Sequence, residues 1–126
     1  MRILVVEDSA TLRALLRLHL SRIPDREVIF AENGQEAAVS IGRDGPPDII
    51  LLDINMPVMN GLEFLDRRDS LGVPRSIPVI LVTTEGKKED VERGMQAGAR
   101  AYLRKPFTAQ GLESAIASAM GTEETR

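Results

Sequence analysis

The sequence predicts an α/β fold, a doubly wound five-stranded parallel sheet with five helices. Three observations predict it. Short apolar runs of the kind that form buried strands alternate with segments of helical period. The connections between them are short, and strands alternating with helices imply parallel pairing with both sheet faces covered. Four of the runs also end on polar residues that can act together: Glu7-Asp8, Asp53, Thr83 and, past Arg104, Lys105-Pro106.

The elements follow in order. Ile3–Val6 is the first strand. Ser9 is placed to cap a helix to Ile23, with Leu12, Leu15, Leu16, Leu20 and Ile23 at helical spacing. Val28–Ala31 is the second strand, closed by Asn33-Gly34, and Gln35 to Ile41 reads as a short helix. Gly45-Pro46-Pro47 breaks the chain before the third strand, Ile49–Leu52. Asn60-Gly61 opens a helix through Leu62, Phe64 and Leu65, and the loop from Leu71 to Pro74 precedes the fourth strand, Ile77–Val82. Glu89 to Ala97 is helical and ends at Gly98. Ala101–Leu103 is the fifth strand, and Thr108 caps a last helix carrying Leu112, Ile116 and Met120. The expected organisation is one domain over residues 1–120, with 121–126 a polar tail or linker stub.

Composition narrows the class. The 126 residues are the size of one domain, and 43% hydrophobic with 28% charged is ordinary for a soluble protein. A net charge of −3 with few aromatics argues against direct nucleic acid binding. No apolar run approaches the roughly 20 residues that span a bilayer, so no membrane role is expected. The apolar stretch at the N-terminus is very short and ends in two acids, unlike a signal peptide. With no Cys there is neither a disulfide framework nor a thiolate metal site, which fits a cytoplasmic location.

Open parallel sheets bind ligands at the carboxyl ends of their strands. In the flavodoxin-like strand order 2-1-3-4-5, the first and third strands are neighbours at the switch point, so Glu7, Asp8 and Asp53 converge. Two unit charges ~4 Å apart repel by about 4 kcal/mol at an effective dielectric of about 20. A cation, raised pKa values or outward-turned side chains must offset that repulsion. An all-oxygen set without nearby His or Cys suits Mg²⁺, or Mn²⁺, and not Zn²⁺. Asp53 is also a candidate nucleophile for phosphorus, with Lys105 a point charge and Thr83 a hydroxyl donor for phosphoryl oxygens. Any one of these acids alone reads equally as a helix cap or a solvated loop charge. The set carries the reading.

VVEDS, LLDINMPVMNG, VTTEG and AYLRKPF, in that order and spacing, resemble a response-regulator receiver domain of two-component signalling, from Ile3 to about Met120. Among relatives the chain looks most like chemotaxis-type single-domain receivers. The resemblance implies Asp53 as phospho-acceptor, and Mg²⁺ held by Glu7, Asp8, Asp53 and the Asn55 backbone carbonyl. It implies Lys105 and Thr83 on the phosphoryl group, and Thr83 with Tyr102 as the switch pair. Pro57 and Gly61 would shape the loop after the acceptor, and Lys105-Pro106 would be a cis peptide. Asn55, Thr84 and Glu85 would tune the phosphoryl lifetime; Thr84 is bulkier than the residue often found there. The implied partners are a histidine kinase or histidine phosphotransfer protein, and a downstream protein at the face of the last strand and last two helices. The resemblance implies a monomer that assists its own phosphorylation and dephosphorylation but turns over no substrate.

Other readings stay open on sequence. The chain could be the receiver part of a longer regulator with a DNA-binding or enzymatic output domain. A haloacid-dehalogenase-like phosphatase shares the Asp, Thr, Lys and Mg²⁺, but it carries its nucleophile on the first strand with a second Asp two residues on. A degenerate receiver could act as a scaffold. His19, in an apolar helix, reads as an exposed or packed residue and not as a phosphohistidine. Arg13, Arg17 and Arg22 are either a solvated face or a docking surface for an acidic kinase.

Overall fold

The computed structural model describes residues 1–84 and 88–121. Five strands, β1 (Arg2–Val6), β2 (Glu27–Ala31), β3 (Ile49–Asp53), β4 (Val79–Thr83) and β5 (Ala101–Arg104), form one sheet in the order β2-β1-β3-β4-β5. All four pairings are parallel. The helices are α1 (Ala10–Leu20), α2 (Gly34–Asp44), α3 (Gly61–Asp66), α4 (Arg68–Leu71), α5 (Lys88–Gln96) and α6 (Ala109–Met120).

Alternation along the strands builds two cores. Leu4, Val6, Ile50, Leu52, Val79 and Leu81 face Ala37, Ile41, Leu62, Phe64 and Leu65 from α2 and α3. Ile3, Val5, Ile49, Leu51, Ile80, Val82 and Leu103 face Leu16 and Leu20 of α1 and Leu112 and Ile116 of α6. This is why β1, β3 and β4 read as unbroken apolar runs: both of their faces are covered. Each fully buried Leu or Ile contributes about 1.5–3 kcal/mol over its exposed state.

Three differences from the sequence reading are physical. Six helical segments stand where five helices are expected, because the stretch after β3 breaks at Arg67 (φ −104°, ψ 13°). The break coincides with burial of Arg68, whose Nη2 donates to the carbonyls of Pro74 (2.7 Å) and Ile77 (3.0 Å). Helix α1 stops at Leu20 and not at Ile23, since Pro24 disfavours helical backbone in the residue before it. Strand β3 ends one residue later than expected, and β4 runs Val79–Thr83 and not Ile77–Val82, so that Asp53 and Thr83 lie in the sheet. The caps expected at Ser9 and Thr108 do form, their Oγ and Oγ1 accepting from Leu12 and Gly111 N–H, and Asn33 Oδ1 and Asn60 Oδ1 accept likewise from Glu36 and Glu63 N–H.

Candidate functional site

The carboxyl ends of β1, β3, β4 and β5 do converge. Glu7, one residue past β1, and Asp53, the last residue of β3, are 2% and 3% exposed. Asp8 is exposed. One carboxylate oxygen from each of the three lies within 4.8 Å of the others. Lys105, just past β5, puts Nζ 3.1 Å from Glu7 Oε1 and 3.4 Å from Asp53 Oδ1. Thr83 closes β4 and is buried; its carbonyl accepts from the Lys105 N–H at 2.7 Å. The Lys105-Pro106 peptide is cis.

Backbone bonds hold the acids in place. Glu7 N–H donates to Ala31 O (2.9 Å), and Ser9 N–H donates to Glu7 Oε2 (3.1 Å). Asn55 N–H reaches Asp53 Oδ1 at 3.4 Å. The loop after Asp53 folds back on it, Gly61 N–H donating to Ile54 O (3.0 Å). A Cβ at Gly61 would collide with Asp53 O and lie 3.0 Å from Ile54 Cα, so only glycine admits this approach. The same loop is braced from α2, where Gly34 N–H donates to Met59 O at 3.1 Å.

Electrostatics oppose ionisation of the two buried acids. Burial pushes Glu7 above the ordinary carboxylate range, and the Asp53 charge adds to that. Burial likewise pushes Asp53 up. Lys105 pulls both the other way but does not cancel the effect. Among the described residues, one ammonium thus pairs with two of the three clustered carboxylates, Glu7 and Asp53. The donors are all oxygen and hard, two of them charged and buried. That set fits a Mg²⁺-type ion, whose charge would offset both the repulsion and the burial.

The remaining predicted residues lie around this centre. Asn55, Pro57 and Thr84 are exposed at its rim. Glu85 falls outside the described residues. Tyr102 is 52% exposed and lies beside Lys88, Val91, Glu92 and Arg104 in a shallow groove. His19 is half-buried, packed edge-on against Phe107 with ring centres 6.4 Å apart. Sequence reasoning missed one contact: Arg13 Nη1 donates to the Glu7 carbonyl at 2.8 Å. Its only signal was a cation one helical turn past the acids.

Three acids and a lysine thus meet at the carboxyl edge of the sheet, and likeness to known proteins gives the family. The chain belongs to the response regulator receiver domain family, whose model matches residues 3–117. Phosphorylation at an aspartate is the general function of that family. The chain is 37% identical over 124 residues to the chemotaxis protein CheY1 of Helicobacter pylori, covering 98% of this chain and 100% of that one. Among solved structures, chemotaxis protein CheY4 of Vibrio cholerae superposes with a TM-score of 0.81 at 32% identity, covering 94% of this chain and 97% of that one. The receiver domain of a modulated diguanylate cyclase from Desulfovibrio desulfuricans gives 0.79 at 30% identity, covering 96% and 94%. No helix among the described residues is long and apolar enough to cross a membrane.

Proposed function

We propose that this receiver accepts a phosphoryl group on Asp53 from a phosphohistidine donor, and that the modified form binds a different protein partner from the unmodified one. The observation that carries this is Lys105 Nζ, within 3.4 Å of both a buried carboxylate pair member, Glu7, and the acceptor, Asp53.

An Asp53 carboxylate oxygen attacks phosphorus, the O–P bond forms, and the P–N bond breaks with its electron pair leaving on the donor imidazole. Lys105 moves its charge from the carboxylates to the phosphoryl oxygens. Thr83, at the end of β4, donates its hydroxyl to the same oxygens. Glu7, Asp8, Asp53 and the Asn55 carbonyl would hold Mg²⁺, which when bound neutralises the attacking carboxylate and clamps phosphoryl oxygens. Asn55 and Thr84, exposed at the rim, and Glu85, by resemblance, set the lifetime of the group against hydrolysis.

Two surfaces fit partners. On α1, Leu15 and Leu18 are 40% and 59% exposed, an apolar stripe suited to a helical kinase or phosphotransfer protein. The groove at Tyr102, with Val91 and Arg104, is the surface a downstream target would read. A switch in the Thr83 and Tyr102 pair would connect chemistry to that groove. The full-length likeness to CheY1 supports a chemotaxis-type regulator.

Incubation with acetyl phosphate and Mg²⁺ followed by intact-mass measurement tests this. One added phosphoryl group, lost in Asp53→Ala, is expected. Labelling undiminished in that variant, or no labelling of the wild type, would sink the proposal.

A further inference from the structure

We infer that Arg13 is a positioning residue for the acidic cluster: its guanidinium fixes the peptide plane between Glu7 and Asp8 and so aims the Asp8 carboxylate. This rests on the function proposed above. The observation is the 2.8 Å bond from Arg13 Nη1 to the Glu7 carbonyl.

The two acids are held very differently. Glu7 is fixed at its N–H by Ala31 O, at Oε2 by Ser9 N–H and at Oε1 by Lys105 Nζ. The Asp8 carboxylate receives no hydrogen bond among the described residues and is exposed. Only its Cα–Cβ direction is fixed, and that by the backbone. The Glu7 carbonyl belongs to the peptide that leads into Asp8, so whatever holds that carbonyl holds the root of the Asp8 side chain. Arg13 does so from a rigid place: α1 is anchored by the Ser9 cap, and Arg13 N–H itself donates to Ser9 O at 2.9 Å. The neighbouring cation on α1 does something else. Arg17 lies over the Phe30 ring, 4.7 Å from its centre.

A cation beside an acidic cluster has two opposed effects on a divalent ion. Its charge repels the ion, and its hydrogen bond orders the ligands. The first predicts tighter Mg²⁺ binding when Arg13 is removed; the second predicts weaker binding. The sign separates them. Loss of a partner that orients a metal ligand costs about 10- to 100-fold in affinity.

The experiment is an NMR shift titration of the full chain with MgCl₂, alongside thermal unfolding in EDTA. Arg13→Met and Arg13→Gln should each bind Mg²⁺ roughly tenfold more weakly than wild type. Arg13→Lys, which can still donate to the carbonyl, should recover most of the affinity, and Arg17→Ala should match wild type. If Arg13→Met does not fold, Arg13→Gln carries the same expectation. Mg²⁺ binding in Arg13→Gln equal to or tighter than wild type overturns the inference and leaves the proposed function intact. A wild type that binds no Mg²⁺ overturns the proposed function itself.

Discussion

Leu81 Cδ1 stands where the Cβ that Gly94 lacks would lie. Helix α5 therefore rests directly on β4, with its glycine turned to the sheet. Two effects oppose each other in Gly94→Ala. Alanine favours the helix by about 1 kcal/mol, whereas overpacking a core costs typically about 1–3 kcal/mol. A collision this close decides for the second. We expect a net loss of about 1–2 kcal/mol in urea denaturation, with α5 pushed off β4. Unchanged or higher stability would mean that the helix is not seated on Leu81.

Gly61→Ala should act on chemistry as well as stability. The new methyl would strike the carbonyl of Asp53, the proposed phospho-acceptor. Displacing a reacting group by about 1 Å can cost roughly 100-fold. Phosphorylation by acetyl phosphate should fall at least about tenfold in protein that circular dichroism still shows folded. A wild-type rate would rule out this loop as the mould for Asp53.

The raised carboxylates make a pH prediction. The native state holds protons on Glu7 and Asp53 more tightly than the unfolded chain does. Their contribution to stability is full below the ordinary carboxylate range and is lost as pH rises through the raised values. In EDTA, then, wild type should lose ground to Asp53→Asn as pH climbs from about 4 towards neutral. At neutral pH the variant should be the more stable, by on the order of 1 kcal/mol or a few degrees in Tm. The comparison must be a difference between the two proteins. The exposed Asp44 and Asp69 are held low by Arg43 and Arg75 and run the other way in both. Parallel curves would show that the cluster is not strained.

Arg68 is 1% exposed and no acid forms an ion pair with it among the described residues. Burial, with the charge of Arg75 adding to it, lowers its pKa. Its Nε finds no partner, while Nη2 serves two carbonyls. Arg68→Met removes the buried charge and keeps the volume. Arg68→Ala removes the charge and opens a cavity. We expect Ala to be at least about 2 kcal/mol less stable than Met in urea unfolding. Equal stabilities would mean that the site collapses around the smaller side chain.

The order of elements was legible because β1, β3 and β4 are apolar on both faces and their ends carry recognisable polar residues. The caps Ser9 and Thr108 were legible from local chemistry alone. The break at Arg67 was not, because it depends on where a guanidinium finds carbonyls nine residues away at Ile77. The acid cluster was visible as convergence of strand ends, since topology delivers it. The Arg13 bond to Glu7 was invisible for the opposite reason: helical spacing places a cation near a turn but does not say whether it faces solvent or backbone. Arg17, four residues on, illustrates the ambiguity by choosing an aromatic ring.

Strand β5 carries its residues on alternating sides: Leu103 inward to the core with α6, Tyr102 and Arg104 outward. Its pairing places Thr83 opposite Arg104, and Lys105 N–H is tied to Thr83 O. Sliding by one residue would throw Lys105 off the carboxylates and drive Leu103 into water. The strand is therefore a fixed rail. News of a phosphoryl group cannot travel along it as a shift of register, and must cross it sideways, as rotation of a side chain on a stationary backbone or as movement of what lies against it.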